Sequence, residues 1–362
     1  MTIFSKKEFI SLLNSHLKTY PKMQPQDVVK LCYQQAFGSS HFCGNEKTAL
    51  TSIRKEMEQC TATPHLPLLE PLDSNGHQFR LSLSAAKAAE ISPKILAKAF
   101  VLDSKTTPQN SLWFSQALNC LNKLAEHHFF PFDAKQMQAY LLMYQQTGYS
   151  AVNHSEEFHN AYEPHYRVFR GQVARLLPLI LCIAQKQMQL SDNQRLSVAL
   201  DGFCASGKTT ASALIAEIFC ADVVHMDDFF LPPSLRTNSR LQQAGGNIHY
   251  ERFSQEVAPH LAVCEPFSYQ VFDCCQMDFV KTQTIGSSSI ILVEGAYALN
   301  PACNGKYDIS AFFQISAKLQ KYRILQRNGA EMWKNFRDLW IPMEHNYAES
   351  FQIPSQVDFI IQ

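Results

Sequence analysis

The chain has 362 residues, 46% of them hydrophobic and 18% charged, with 32 basic and 32 acidic side chains. That is long enough for two domains of ordinary size. The zero net charge gives no global electrostatic case for nucleic acid or an acidic membrane as partner, and the longest apolar run, Leu176–Ala184, is about half of what spans a bilayer.

The start, Met1 to Glu8, has no long apolar core behind its basic residues, which argues against a signal peptide. The 11 cysteines are odd in number and form no C-x-x-C pair, which predicts reduced thiols and a cytoplasmic location. A homo-oligomer is compatible with the sequence.

Residues 1–187 are predicted to form a mainly α-helical domain. Apolar residues fall at helical spacing over Lys6–Leu17 and Gln26–Phe37. Ser84–Glu90 is strongly helix-forming, and Pro93–Val101 continues the pattern behind Ser92 as a cap. Leu112–His127 and Ala134–Gln146 follow as helices. Thr61–Gly76, with Pro64, Pro67, Pro71 and the pair Asn75-Gly76, reads as a loop.

Gly148–Arg167 is dense in His, Tyr, Glu and Arg. It supports two readings. One is a polar pocket, with His41 facing His154 and Glu156, that takes an anion or holds a metal through imidazole and carboxylate. The other is a helix start capped by Asn153 or Ser155, with Glu156 and Glu157 in its first turn. The polar stretch Gln185–Gln194 marks the predicted domain boundary.

The second domain, 195–362, opens on Leu196–Leu200, a short apolar strand. Gly202-Phe203-Cys204-Ala205-Ser206-Gly207-Lys208-Thr209 comes next and fits G-x-x-x-x-G-K-[ST]. A helix-forming run from Thr210 follows, so the motif has the strand–turn–helix setting it requires. Gly202, Ala205, Ser206, Gly207, Lys208, Thr209 and Thr210 are the expected contacts to the phosphates of ATP. Lys208 would reach the β- and γ-phosphates and Thr209 would ligate Mg²⁺. Cys204, near a helix N-terminus, is a candidate for a lowered thiol pKa or simply a small residue that fits the loop.

Ala221–Met226 reads as a second strand ending in Asp227 and Asp228. Carboxylates at the C-terminal end of a strand face the ligand crevice of an α/β sheet, where they can hold Mg²⁺ or take a proton from a hydroxyl. Arg236, Asn247, His249 and Tyr250 fall in a polar, glycine-containing stretch suited to closing on a substrate, or to forming a plain surface loop. Phe267–Asp273 reads as a short strand or hairpin arm with Tyr269 and Asp273 on one face. Ser289–Gly295 is a strongly apolar strand that delivers Glu294 beside the phosphate loop, the pattern of a carboxylate serving Mg²⁺. Ile309–Ile315 and Val357–Ile361 are further strands. Lys318–Arg327 is a helix that puts Arg323 and Arg327 on one face, where a lid would clamp phosphates. Strands alternating with helices predict an α/β, three-layer domain with a parallel sheet.

These pieces, Val198 to Thr209, His225–Phe230, Ile291–Gly295 and Arg323–Arg327, resemble the uridine kinase, phosphoribulokinase and pantothenate kinase group of P-loop kinases. They occur in that family's order across nearly all of 195–362. The resemblance implies ATP and Mg²⁺ as cofactors and a small-molecule substrate. It implies Asp227 as general base, Glu294 at the Mg²⁺ site, lid arginines on the phosphates and Tyr269 lining the nucleoside pocket; Asp228 is a further candidate substrate residue. It also implies transfer of the γ-phosphoryl group to a hydroxyl, most directly that of a nucleoside. Sugars and vitamin precursors are the alternative acceptors, and an ATP-sensing module without turnover or an ATPase-driven assembly factor is the alternative class. Two segments depart from the family pattern. Gly245–Tyr250 stands where uridine kinases carry a D-x-P-x-A-x-D type segment, and Arg327-Asn328-Gly329 replaces an R-R-x-x-R-D lid. The first domain resembles N-terminal extensions of some uridine-kinase-like proteins, a likeness that assigns it no chemistry.

Overall fold

A computed structural model describes residues 4–38, 44–73 and 78–362. The chain forms two compact units, Met1–Arg175 and Leu176–Gln362. His41 and the pair Asn75-Gly76 lie outside the described residues.

In the first unit, α1 (Lys6–Thr19) starts where the Ser5 hydroxyl accepts the Glu8 N–H. Helix α2 (Pro25–Phe37) starts with Pro25, whose missing N–H costs nothing in a first turn, and with Gln24 and Asp27 in a capping box. Helix α3 is Glu46–Gln59. After β1 (Leu69–Pro71) and β2 (Phe79–Ser82) come α4 (Leu83–Ala88), α5 (Pro93–Thr106), α6 (Ser111–Glu126), α7 (Ala134–Gln146) and α8 (Glu156–Tyr162), then β3 (Tyr166–Phe169). The predicted helices are present. A small antiparallel sheet of order β1-β2-β3 is not among the sequence expectations. Its strands are three or four residues long, too short for an alternating pattern, and β1 falls inside the proline-rich stretch read as loop. The core of this unit packs α1, α2, α6 and α7 through Leu13, Val28, Leu31, Leu121, Met137 and Tyr144.

The first unit ends at Arg175 and the second begins at Leu176, upstream of the expected 187–195 boundary. Helix α9 (Leu177–Gln187) therefore groups with the second unit. Lys186 Nζ donates to the Asp308 carbonyl at 2.6 Å and Gln187 Nε2 to Ser289 Oγ at 3.2 Å.

The second unit is built on β4 (Leu196–Gly202), α10 (Lys208–Phe219), β5 (Asp222–His225), α11 (Asn238–Leu241), α12 (Tyr250–Glu256), the hairpin β6 (Phe267–Asp273) and β7 (Asp278–Ile285), β8 (Ile290–Glu294), β9 (Ile309–Phe313), α13 (Ala317–Asn335), α14 (Ile341–Ser350) and β10 (Phe359–Ile361). The five-stranded sheet has the order β10-β9-β4-β8-β5 and every pair is parallel. Strands β4 and β8 are buried along their whole length, as strands covered on both faces must be. This is the expected α/β architecture, with the phosphate loop after the central strand. Helix α13 breaks at Gly329, whose φ of 79° and ψ of 174° lie outside the helical region.

Candidate active site

The parallel register gathers the chemistry at one rim. Leu200 and His225 both pair with Glu294, so the loop after β4, the turn after β5 and the end of β8 share the carboxyl edge of the sheet. Gly202 has φ of 137°, and a Cβ there would collide with the Phe313 carbonyl oxygen. Only glycine lets the loop leave the sheet this close to β9. Asp201 is buried and anchors the departure. Its carboxylate accepts the N–H groups of Gly202 (2.6 Å), Tyr297 (3.0 Å) and Leu299 (2.9 Å) and the Tyr347 hydroxyl (2.6 Å). Burial pushes its pKa up against those donors.

Gly207 sits at the N-cap of α10 with φ of 104°, so the first turn of the helix opens toward the loop. Ser206 Oγ is buried and has no hydrogen-bond partner among the described residues. Lys208 Nζ is folded back onto the carbonyls of Gly202 (2.7 Å) and Phe203 (3.0 Å). An orphaned hydroxyl, a buried ammonium hydrogen-bonded to carbonyls and a helix N-terminus suit an anion.

Around this loop, Thr209 Oγ1 donates to Glu294 Oε2 at 3.2 Å, and His225 Nδ1 lies 2.5 Å from Glu294 Oε1. The Glu294 contact and nearby charges raise the His225 pKa against partial burial. Asp227 follows in a short 3₁₀ turn, Met226–Phe229. It is exposed to solvent at the carboxyl edge of the sheet. Desolvation by its surroundings raises its pKa, with Glu294 adding to the effect and Lys208 and His225 opposing it. The hydroxyl and carboxylate oxygens of Thr209 and Glu294 are hard donors of the kind Mg²⁺ takes. Among the described residues no group of three or more His, Cys, Asp or Glu side chains could hold a metal by itself. A magnesium ion here would draw its remaining ligands from phosphate and water oxygens.

The two lid arginines are placed differently. Arg323 Nη1 donates to the carbonyls of Ala205 (2.9 Å) and Ser206 (3.2 Å), which fixes its guanidinium at the phosphate loop. Arg327 is exposed, and its Nε donates to its neighbour Asn328 at 2.8 Å.

Among the predicted acceptor residues, Asp228 and Tyr269 come together: the Tyr269 hydroxyl donates to Asp228 Oδ2 at 2.8 Å. Arg236 instead donates from Nε to the Leu231 carbonyl at 2.7 Å. Asn247 lies on the strand-like contact that joins Phe230 to Ile248 and accepts the Leu231 N–H at 3.0 Å through its backbone carbonyl. His249 caps α12, and Tyr250 carries the Arg240 guanidinium 3.7 Å from its ring centre. Asp273 does not share a face with Tyr269. A register shift between Val271 and Phe272 breaks the alternation, and Asp273 caps the hairpin turn by accepting the Cys275 N–H at 2.6 Å.

Sequence reasoning missed Arg252, which donates from Nη2 to the Asp228 carbonyl at 3.1 Å and lies 4.4 Å over the Phe229 ring. It also missed Glu344, whose Oε2 accepts the Cys204 N–H at 2.8 Å, and His345, stacked 4.4 Å from the Phe203 ring. The adjacent pair Glu344-His345, ahead of Tyr347 on one helix, was the available signal. Of the two readings of Cys204, the small residue that fits the loop is the one favoured: burial and the nearby Glu344 push its thiol pKa up.

In the first unit, the His-rich stretch is a capped helix start. Ser155 Oγ accepts the Phe158 N–H at 3.1 Å. His154 Nδ1 lies 2.8 Å from Asp27 Oδ1 and Nε2 lies 2.6 Å from the Tyr166 hydroxyl, so both ring nitrogens are engaged within the protein.

No family model matches the chain, and no curated protein matches it. Among solved structures it is similar to one described as a possible uridine kinase from Bacillus stearothermophilus. That likeness has 16% identity over 52% of this chain and 97% of that one, with a TM-score of 0.39. It is also similar to a protein described, provisionally, as a fructose transport system kinase from Silicibacter sp. TM1040. There the identity is 21% over 48% of this chain and 94% of that one, with a TM-score of 0.39.

Proposed function

We propose that the second unit is an ATP-dependent small-molecule kinase that transfers the γ-phosphoryl group to a substrate hydroxyl, a nucleoside hydroxyl being the first choice. The observation that carries this reading is the meeting of a phosphate loop, the Asp227 carboxylate and the Thr209–Glu294 oxygen pair at one end of one sheet. The backbone and Ser206 hold the phosphates, and Lys208 swings from the loop carbonyls to the β- and γ-oxygens. Thr209 and Glu294 would hold Mg²⁺, which when bound screens the negative charge of the phosphates. Arg323, tethered to the loop, faces the charge that develops on the transferred group.

Asp227 orients the acceptor hydroxyl and takes its proton. A carboxylate with a raised pKa is a better base than one at the ordinary value. Asp228, fixed by Tyr269, offers its free oxygen to a second hydroxyl of the acceptor. ADP release from the full chain, screened with Mg²⁺·ATP across nucleosides, sugars and vitamin precursors, tests the proposal. Acceptor-dependent ADP release that Asp227→Asn abolishes is the expected result. ADP release that no acceptor in the three classes accelerates overturns it.

A further inference from the structure

The first unit contains a cavity of about 1190 Å³, walled by α1, by residues of 66–73 and 78–84, and by the stretch from Phe158 to Arg170. It is large enough for a ligand of metabolite size. Two buried polar atoms on its wall lack partners among the described residues: His16 Nε2 and Arg80 Nε. His16 is 3% exposed and Arg80 4% exposed. Buried polar atoms without partners are rare in folded proteins and call for an explanation.

The chemistry of each atom is fixed by its neighbours. His16 Nδ1 lies 3.1 Å from the Leu12 carbonyl, so that nitrogen carries the hydrogen and Nε2 presents a bare lone pair. Burial and the nearby Arg80 charge hold the His16 pKa down at about 3, so the ring is neutral and Nε2 accepts. Arg80 uses Nη1 toward Glu70 at 3.6 Å and Nη2 toward Gln34 Oε1 at 3.2 Å, leaving Nε–H as a free donor. Its plane is held over the Tyr166 ring at 4.7 Å. Arg170 lines the same cavity. Its guanidinium donates to Gln78 Oε1 (2.9 Å) and the Gln34 carbonyl (3.3 Å), both uncharged. Glu8 and Glu163 also line the cavity, from exposed positions at its rim, and Asp103 and Asp73 are near enough to act on Arg170. The wall thus offers the Arg80 and Arg170 guanidiniums, the first in ion-pair reach of Glu70, beside a neutral acceptor.

We propose that this cavity binds a small hydroxylated anion, an organic phosphate or carboxylate whose charged group meets Arg80 and Arg170 and whose hydroxyl donates to His16. Every residue lining the site belongs to the first unit, and the proposal does not depend on the kinase reading.

Titration calorimetry of the full chain, with Trp113 fluorescence as a second readout, tests this. Trp113 lines the cavity. The probes are ribose 5-phosphate, gluconate, inorganic phosphate and ribose. Ribose 5-phosphate or gluconate should bind more tightly than either phosphate or ribose, and the better of the two identifies the anion. His16→Phe and Arg80→Lys should each weaken that probe by about tenfold, the effect of one lost buried hydrogen bond. Lys208→Ala should leave it unchanged. Thermal unfolding reports whether each variant folds. If Arg80→Lys does not fold, His16→Phe decides alone, because it removes no charge. The proposal is overturned if neither hydroxylated anion outbinds phosphate and ribose, if binding survives His16→Phe, or if Lys208→Ala abolishes it.

Discussion

His225 Nδ1 lies 2.5 Å from Glu294 Oε1, while the other oxygen of Glu294 accepts the Thr209 hydroxyl. One carboxylate therefore ties the ends of β5 and β8 to the first turn of α10. Because the partnership raises the His225 pKa above 6.5, its stabilising effect is complete below about pH 6.5 and fades as pH rises through the higher folded value. His225→Gln should flatten the pH dependence of thermal unfolding over that window. His225 is substantially exposed, so the change should stay within about 1 kcal/mol.

Asp227→Asn keeps the shape of the side chain and removes its basicity. It should lower kcat by about a hundredfold to ten-thousandfold while leaving ATP affinity near its original value. Lys208→Ala should lower kcat as well and also weaken ATP binding, because it removes the ammonium that moves onto the phosphates. Steady-state kinetics with ATP titration separate the two patterns. Near-normal turnover in Asp227→Asn would remove it from the role of base.

Arg323 and Arg327 should not behave alike. Arg323 is already tethered to the carbonyls of Ala205 and Ser206, whereas Arg327 is bound to Asn328 in solvent. Arg323→Ala is expected to cost about a hundredfold in kcat. Arg327→Ala should cost less than a tenth of that loss. Equal losses would mean that the segment around Gly329 carries Arg327 onto the phosphates during turnover.

Tyr269→Phe removes the hydroxyl that orients Asp228 and keeps the ring. Its expected effect is a rise of about tenfold in the acceptor KM with little change in the KM for ATP. A change confined to the ATP term would place Asp228 outside the acceptor pocket.

In the first unit, Asp27 is the buried hub of the His-rich stretch. It accepts Ser155 N–H (2.9 Å), Ser155 Oγ–H (2.6 Å) and Gln24 N–H (2.9 Å), besides His154. Burial pushes its pKa up, but the bonds from His154 and Ser155 outweigh this and hold it below the usual carboxylate value of 3.8. The stabilisation is therefore present above about pH 3.8 and lost as pH falls through the lower folded value. Asp27→Asn should destabilise the unit by about 3 kcal/mol at neutral pH, read by chemical denaturation.

The sequence alone determined the phosphate loop, the helices of the first unit and the apolar strands of the second. Each of these is written in local spacing: Gly202, Gly207, Lys208 and Thr209 within eight consecutive positions, or apolar residues at a period of 3.6. The carboxylates Asp227 and Glu294 were legible for the same reason, since Glu294 ends an apolar strand and Asp227 follows a strand by two residues. The tertiary structure alone decided which partners those side chains meet. Nothing in the chain order places Glu344 against Cys204, Arg252 under Asp228, or Tyr347 on Asp201, because these pairs are separated by long stretches and joined only by packing. The same holds for His16 and Arg80. One sits on a helix and the other on a four-residue strand, and only the folded unit brings both onto one cavity wall. Their unmatched nitrogens follow from burial, a property that no local pattern encodes.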